Sequence, residues 1–236
     1  MNGRARAAAA GVCAFAVLGV TAACTVDSGN SQSREQAYEI SEPVTALTVK
    51  EAAGKISIVA GEGPVQVKET LRFGSKEPAT THRVSGQTLQ LEDRGCGSGI
   101  KAGRSCSVDY EIRVPASVAV TVATSAGEVS VSGTAGRLDL SASAGSIKGT
   151  DLSSPQARLR TSAGSVDASF ARAPQQIDAS AEAGDVTLRV PGNTSYAVDA
   201  KTELGTRKVS VPEDPGSAHE IRVRVSLGDL SVQTSP

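Results

Sequence analysis

Few side chains among these 236 residues are equipped for acid–base, nucleophilic or metal chemistry. There are two histidines, His82 and His219, four cysteines, three tyrosines and no tryptophan. Acids recur directly after glycines, at Glu128, Asp185 and Asp229, with Ser146, Ser165 and Thr206 in the equivalent places of other repeats. A polysaccharide lyase or hydrolase would need acids and bases converging on one face, with aromatic platforms for sugar rings. Glu128 and Asp185 lie three repeats apart, about 14 Å at ~4.8 Å per coil, too far for a glycosidase pair. Turn residues bonding backbone amides are the simpler reading of these acids. Gly97-Ser98-Gly99-Ile100-Lys101-Ala102 fits the loose dinucleotide pattern G-x-G-x-x-A, but no helical pattern follows it and no nucleotide is expected. Asn193-Thr194-Ser195 matches a glycosylation acceptor by pattern only. The calcium-binding repeat G-G-x-G-x-D is absent. No metal, cofactor or catalytic residue is therefore assigned.

The cysteines sort by place. Arg4 and Arg6, an apolar stretch over residues 7–20 and Thr21-Ala22-Ala23 form the three parts of an export signal, residues 1–23. The stretch falls short of the ~20 residues that span a bilayer. Cys13 lies within it, and Cys24 follows it, ahead of a polar run. Val20 to Cys24 resembles a bacterial lipoprotein signal, cleaved before a cysteine that becomes acylated, and departs from it at Thr21, where an aliphatic residue is usual. The alternative is ordinary cleavage near Ala23. The resemblance implies lipid attachment at Cys24, the membrane as a partner through that anchor, and a place on the outer face of the cytoplasmic membrane. Without acylation the chain would be secreted. Residues 24–37 read as a flexible tether. In an oxidising compartment, Cys96 and Cys106 are expected to form a disulfide.

The elements that position everything else come from a repeat. Gly127, Gly145, Gly164, Gly184, Gly205 and Gly228 recur at intervals of 18 to 23 residues, with an earlier copy at Gly54. Five residues before them stand Val49, Val122, Leu140, Leu159, Ala179, Ala200 and Val223; two after stand Ile56, Val129, Ile147, Val166, Val186 and Leu230, with Arg207 the exception. Alternation of period two marks strands, and the inward parity switches across each glycine. A residue free to take positive φ would turn the chain there and keep both apolar rows facing one interior. A unit of about 20 residues cannot bury its apolar row alone and must stack on neighbours. The fold expected is all-β, a single-stranded parallel β-solenoid over 116–236, with an irregular β cap carrying the disulfide loop over 38–115. An antiparallel sandwich is the alternative, since short, regularly spaced strands also mark that fold.

On the outward face, Asp139, Arg158 and Asp178, and then Asp199 and Arg222, become adjacent rungs of a charge ladder, worth ~0–1 kcal/mol per exposed pair and better suited to setting register. The carboxyl-terminal strand, Leu230-Ser231-Val232, ends the chain and is expected to leave an open solenoid edge. A net charge of −1, from 24 Lys and Arg against 25 Asp and Glu, lacks the basic excess that nucleic acid requires.

An exported chain with Ser-Ala-Gly-x-Val units after Val114-Pro115 resembles the putative-adhesin β-solenoid family of bacterial surface proteins over residues 40–236. That resemblance implies surface display and brings no catalytic motif with it. The function expected is a lipid-anchored, non-enzymatic adhesin-like binding or scaffold module, with a cell-wall polymer or a protein as partner at the carboxyl-terminal edge. The rival is a carbohydrate-active enzyme built on a β-helix.

Overall fold

The computed structural model describes residues 32–97 and 106–235. Every regular element in them is a strand. The first six are β1 Gln32–Ile40, β2 Ala46–Gly61, β3 Val65–Phe73, β4 Thr80–Ser85, β5 Thr88–Asp93 and β6 Ser107–Pro115. β7 Ala119–Ser132 runs unbroken through its corner glycine, as β2 does. The remaining coils are strand pairs split at the corner: β8 Leu138–Ala144 with β9 Ile147–Leu152, β10 Gln156–Ala163 with β11 Val166–Phe170, and β12 Gln176–Ala183 with β13 Val186–Val190. β14 Ala197–Leu204 with β15 Arg207–Ser210, and β16 Glu220–Leu227 with β17 Leu230–Thr234, complete the set.

Like residues lie over like, in parallel register. Val129 pairs with Ile147, Ile147 with Val166, Val166 with Val186 and Val186 with Leu230. The alternating burial along each strand sends these residues, with Leu47, Val122, Leu140, Leu159 and Ala179, into one continuous core. The parity switch has two causes. Each corner glycine takes φ between +134° and +153°, a region that an L side chain rarely enters. The glycines also stack: a Cβ on Gly145 would stand 1.7 Å from the carbonyl oxygen of Gly127, and one on Gly164 2.1 Å from that of Gly145. Only a residue without a side chain lets successive corners approach this closely.

The order of the coils departs from the order of the sequence at both ends. β16 pairs with β12 on one side and β14 on the other, and β17 lies between β13 and β15. The last coil is thus inserted between the two before it, and the edge expected at Leu230–Val232 belongs instead to β14 and β15. Apolar burial explains the exchange. The inner coil brings Ile221, Val223, Val225, Leu230 and Val232, all buried, whereas the outer one carries Arg207 in the apolar file. At the amino end β2 lies between β7 and the coil made by β5 and β6, so the repeat geometry begins well before residue 116. In that first coil the Cys96–Cys106 disulfide stands at the corner where later coils have glycine; its Cα atoms are 6.1 Å apart.

The tether also ends earlier than residue 37. Residues 32–40 form β1, which pairs antiparallel with β3 from Gln32–Phe73 to Ile40–Val65. Its sequence is too polar to announce a strand, but β3 offers an unpaired edge. β3 in turn pairs with β6, and β4 with β5, both antiparallel.

Candidate binding face

The inserted coil completes the charge ladder. In spatial order its rungs are Asp139, Arg158, Asp178, Arg222 and Asp199, alternating in sign throughout, whereas stacking in sequence order would have set Asp178 beside Asp199. Arg158 reaches Asp139 at 3.5 Å and Asp178 at 3.9 Å, and Arg160 reaches Asp178 at 3.6 Å. Asp199 is bonded by Arg224, two positions beyond Arg222, and approached by Lys201 at 3.7 Å. The Arg224 guanidinium holds the Asp199 carboxyl below the usual carboxylate range.

Toward the corner the same face carries a column of hydroxyls, Ser125, Ser143 and Ser162, beside Ser141, Arg160 and Ser180. With Lys50 and Arg94 at its upper end, these line an open groove of about 580 Å³. The groove crosses several coils and repeats its polar groups at the strand spacing of ~4.8 Å. Glu51, Glu92, Asp93 and Glu182 line it as well, and Arg94 and Arg160 are paired with Glu92 and Asp178, so its chemistry is that of a hydroxyl-rich, mixed-charge surface for an extended polar ligand.

Two of the three acids that follow the glycines are spent on the backbone. Asp185 Oδ1 accepts the amide of Asp229, and Asp229 Oδ1 accepts that of Thr206, both at 2.8 Å. Ser146 and Ser165 do the same for Ser165 and Asp185 at 3.5 and 3.4 Å. The donating amide lies in the adjacent coil, so these residues knit coils together where a local turn bond was expected. Glu128 pairs with Lys55 at 3.2 Å. His82 stacks on Tyr38 with ring centroids 4.2 Å apart, and His219 Nδ1 lies 2.7 Å from the Pro174 carbonyl. Among the described residues no group of three His, Cys, Asp or Glu is placed to hold a metal ion. Cys24, and with it the expected lipid site, lies outside the described residues, as does most of the Gly97–Ala102 match.

A buried polar cluster beneath the groove is absent from the sequence reading. Glu51 stands three before Gly54, an inward position filled elsewhere by Thr124, Ala142, Thr161 and Ala181. It is 5% exposed. Thr124 Oγ1 donates to its Oε2 at 2.7 Å, while Oε1 is buried without a partner. Burial pushes this carboxyl up to about 7. Asp93 occupies the matching position in the first coil, because Lys50 pairs with Glu92. Its Oδ1 accepts the Gly95 amide at 2.7 Å. Burial raises its pKa too, against the pull of backbone donors. Glu69, also buried, receives the Tyr38 hydroxyl at 2.5 Å and Gln36 Nε2 at 2.6 Å. Burial raises the Tyr38 and Tyr110 phenols above their ordinary range. Completing the column of residues three before the glycines would have exposed Glu51 in the sequence.

Comparison with solved structures returns the same architecture. A putative cell adhesion protein from Clostridium sporogenes superposes with a TM-score of 0.53 at 11% identity, over 86% of this chain and 100% of its own. A putative adhesin from Bacteroides fragilis gives 0.47 at 11% identity, over 86% and 97%. No curated protein matches the chain. The sequence profile of one family runs from residue 25 to residue 233, spanning the β1 strand, the disulfide corner and every glycine-turned coil, and by that match the chain belongs to the Toastrack DUF4097 family.

Proposed function

We propose that this protein is a non-catalytic binding or scaffold module displayed outside the cytoplasmic membrane and held there by an acylated Cys24. The observation that carries the binding role is the hydroxyl-rich, mixed-charge groove at the corner of the charged face. The acids that could have served catalysis instead bond amides of adjacent coils, pair with a lysine as Glu128 does, or lie beneath the surface. The disulfide supports an oxidising compartment. The similarity to a protein described as cell-adhesive agrees with surface display.

Seven residues separate Cys24 from Gln32, at most about 25 Å of chain. Acylation would therefore hold the amino-terminal end of the solenoid close to the bilayer. The sheet that contains β1 has ten strand rows ending at β15, so the far coil stands about 43 Å away along the axis. An extended polyhydroxylated polymer of the envelope is the ligand class that the groove fits.

The test has two arms. Cys24→Ser is expected to move the protein from the membrane fraction to the medium; retention in the membrane overturns the anchor. Purified chain is expected to sediment with isolated cell wall, and Arg160→Ala with Ser143→Asp is expected to weaken that at least fivefold. Sedimentation unchanged by the double substitution overturns the groove as the binding site.

A further inference from the structure

The two ends of the solenoid are finished differently. At the amino end β1, β3 and β4 lie outside the first coil, and side chains of β1 reach across to β4 and the segment before it. Tyr38 stacks on His82, Gln36 Nε2 donates to Thr80 Oγ1 at 3.4 Å and Arg34 pairs with Glu77 at 2.9 Å. That end is shut. At the other end β14 pairs only with β16 and β15 only with β17 among the described strands. Val198, Val209 and Val211 are half-buried there, whereas Ile221 and Val232, their neighbours one coil inward, are 1% and 0% exposed. Leu204, at the corner, is 67% exposed. Residues 212–214 bridge Tyr196 just ahead of β14; beyond that point an unfinished core flanked by two unpaired strand edges is a surface shaped for further strands.

We propose that a second copy of this chain supplies them, related by a two-fold axis that sets β14 and β15 each antiparallel to its counterpart. Ala200 lies five residues before Gly205 and Val209 four after it, inward positions at nearly equal distances along the chain from the corner. One axis through Ala200 and Val209 therefore brings both strands into register together. About that axis Asp199 stands opposite the second copy's Lys201, and Lys201 opposite its Asp199. The result is two opposite-charge cross-strand pairs on the outer face. A two-fold pairing uses both strand edges of this end in each copy, so association closes at two. Arg207 opposes it. This residue occupies an inward position, and its Nε donates to the Ala200 carbonyl at 3.0 Å, lying over the open end of the lone copy. Such an inward charge is a recognised guard of an edge, and it keeps the pairing reversible.

Sedimentation equilibrium between roughly 1 μM and 1 mM, on the exported chain carrying Cys24→Ser, tests this. The unaltered surface is expected to show a monomer–dimer equilibrium. Lys201→Asp sets acid against acid twice and is expected to weaken the dimer about tenfold, and Asp199→Lys with Lys201→Asp to restore it within about threefold. Arg207→Val completes the apolar file and is expected to tighten the dimer at least tenfold. Circular dichroism establishes that each variant keeps its sheet. The proposal is overturned by a monomer at 1 mM in both the unaltered and Arg207→Val chains. A dimer indifferent to Lys201→Asp, or growth beyond two copies, overturns it equally.

Discussion

At the residue scale, the corner glycines and the buried Glu51 place opposite demands on the same narrow turn. Gly164 combines φ +139° with a neighbouring carbonyl 2.1 Å from where a Cβ would stand, so Gly164→Ala requires both an unfavourable dihedral and a separation of coils. We expect a loss of at least ~2–3 kcal/mol, measurable by urea denaturation, or failure to fold. A loss under ~1 kcal/mol would mean that the corners are looser than their stacking implies. Glu51 acts through pH. Its carboxyl keeps a proton up to about 7 in the fold but releases it near 4.5 when unfolded. Between those values the folded state binds more protons, so stability falls as pH rises through that window and levels off above it. Asp93, shifted in the same direction, adds to the slope. Glu51→Gln is expected to flatten the fall, matching the parent near pH 4.5 and exceeding it by ~2–3 kcal/mol at pH 8. Denaturation at several pH values checks this, and a variant less stable than the parent at pH 8 would overturn it.

Between residue and whole, the strands show how much was written in the chain. The repeat, the glycine corners, the parity switch and the parallel register follow from alternation alone, because burial leaves a strand only one workable face. The coil order does not follow, since neighbours in a stack are chosen by complementary surface and not by adjacency in sequence. Two signals did point to it: Arg207 breaks an otherwise apolar file, and sequential stacking would have juxtaposed Asp178 with Asp199. β1 went unread because its strand is made by the edge of β3 and not by its own composition. The charge ladder was legible as residues, whereas the groove depends on which columns lie side by side at the corner. The disulfide corner belongs to this scale. It closes a separation of 10 residues, for which the chain-entropy account gives roughly 2–3 kcal/mol. Replacing both Cys96 and Cys106 by Ala is expected to cost about that much and to raise amide exchange first in β5 and β6, read by hydrogen-exchange mass spectrometry. Uniform exchange across all coils would contradict this assignment.

For the molecule as a whole, the exchanged coils make the far end depend on the chain's last strands. Removing residues 220–236 takes away the sole strand partners of β14 and β15 and bares β12 and β13. We expect residues 197–210 to exchange their amides as an unfolded segment while coils up to β11 stay protected. Protection of 197–210 in the truncated chain would show that it can stack directly on 176–190. The same arrangement sets a schedule for a nascent polypeptide. Coils 119–190 can lay themselves down in the order they emerge, but the next segment to appear has no berth until the one behind it arrives and slips between. Maturation therefore finishes in a single late step, and a product that lacks β16 and β17 leaves its growing tip incomplete and open to proteolysis.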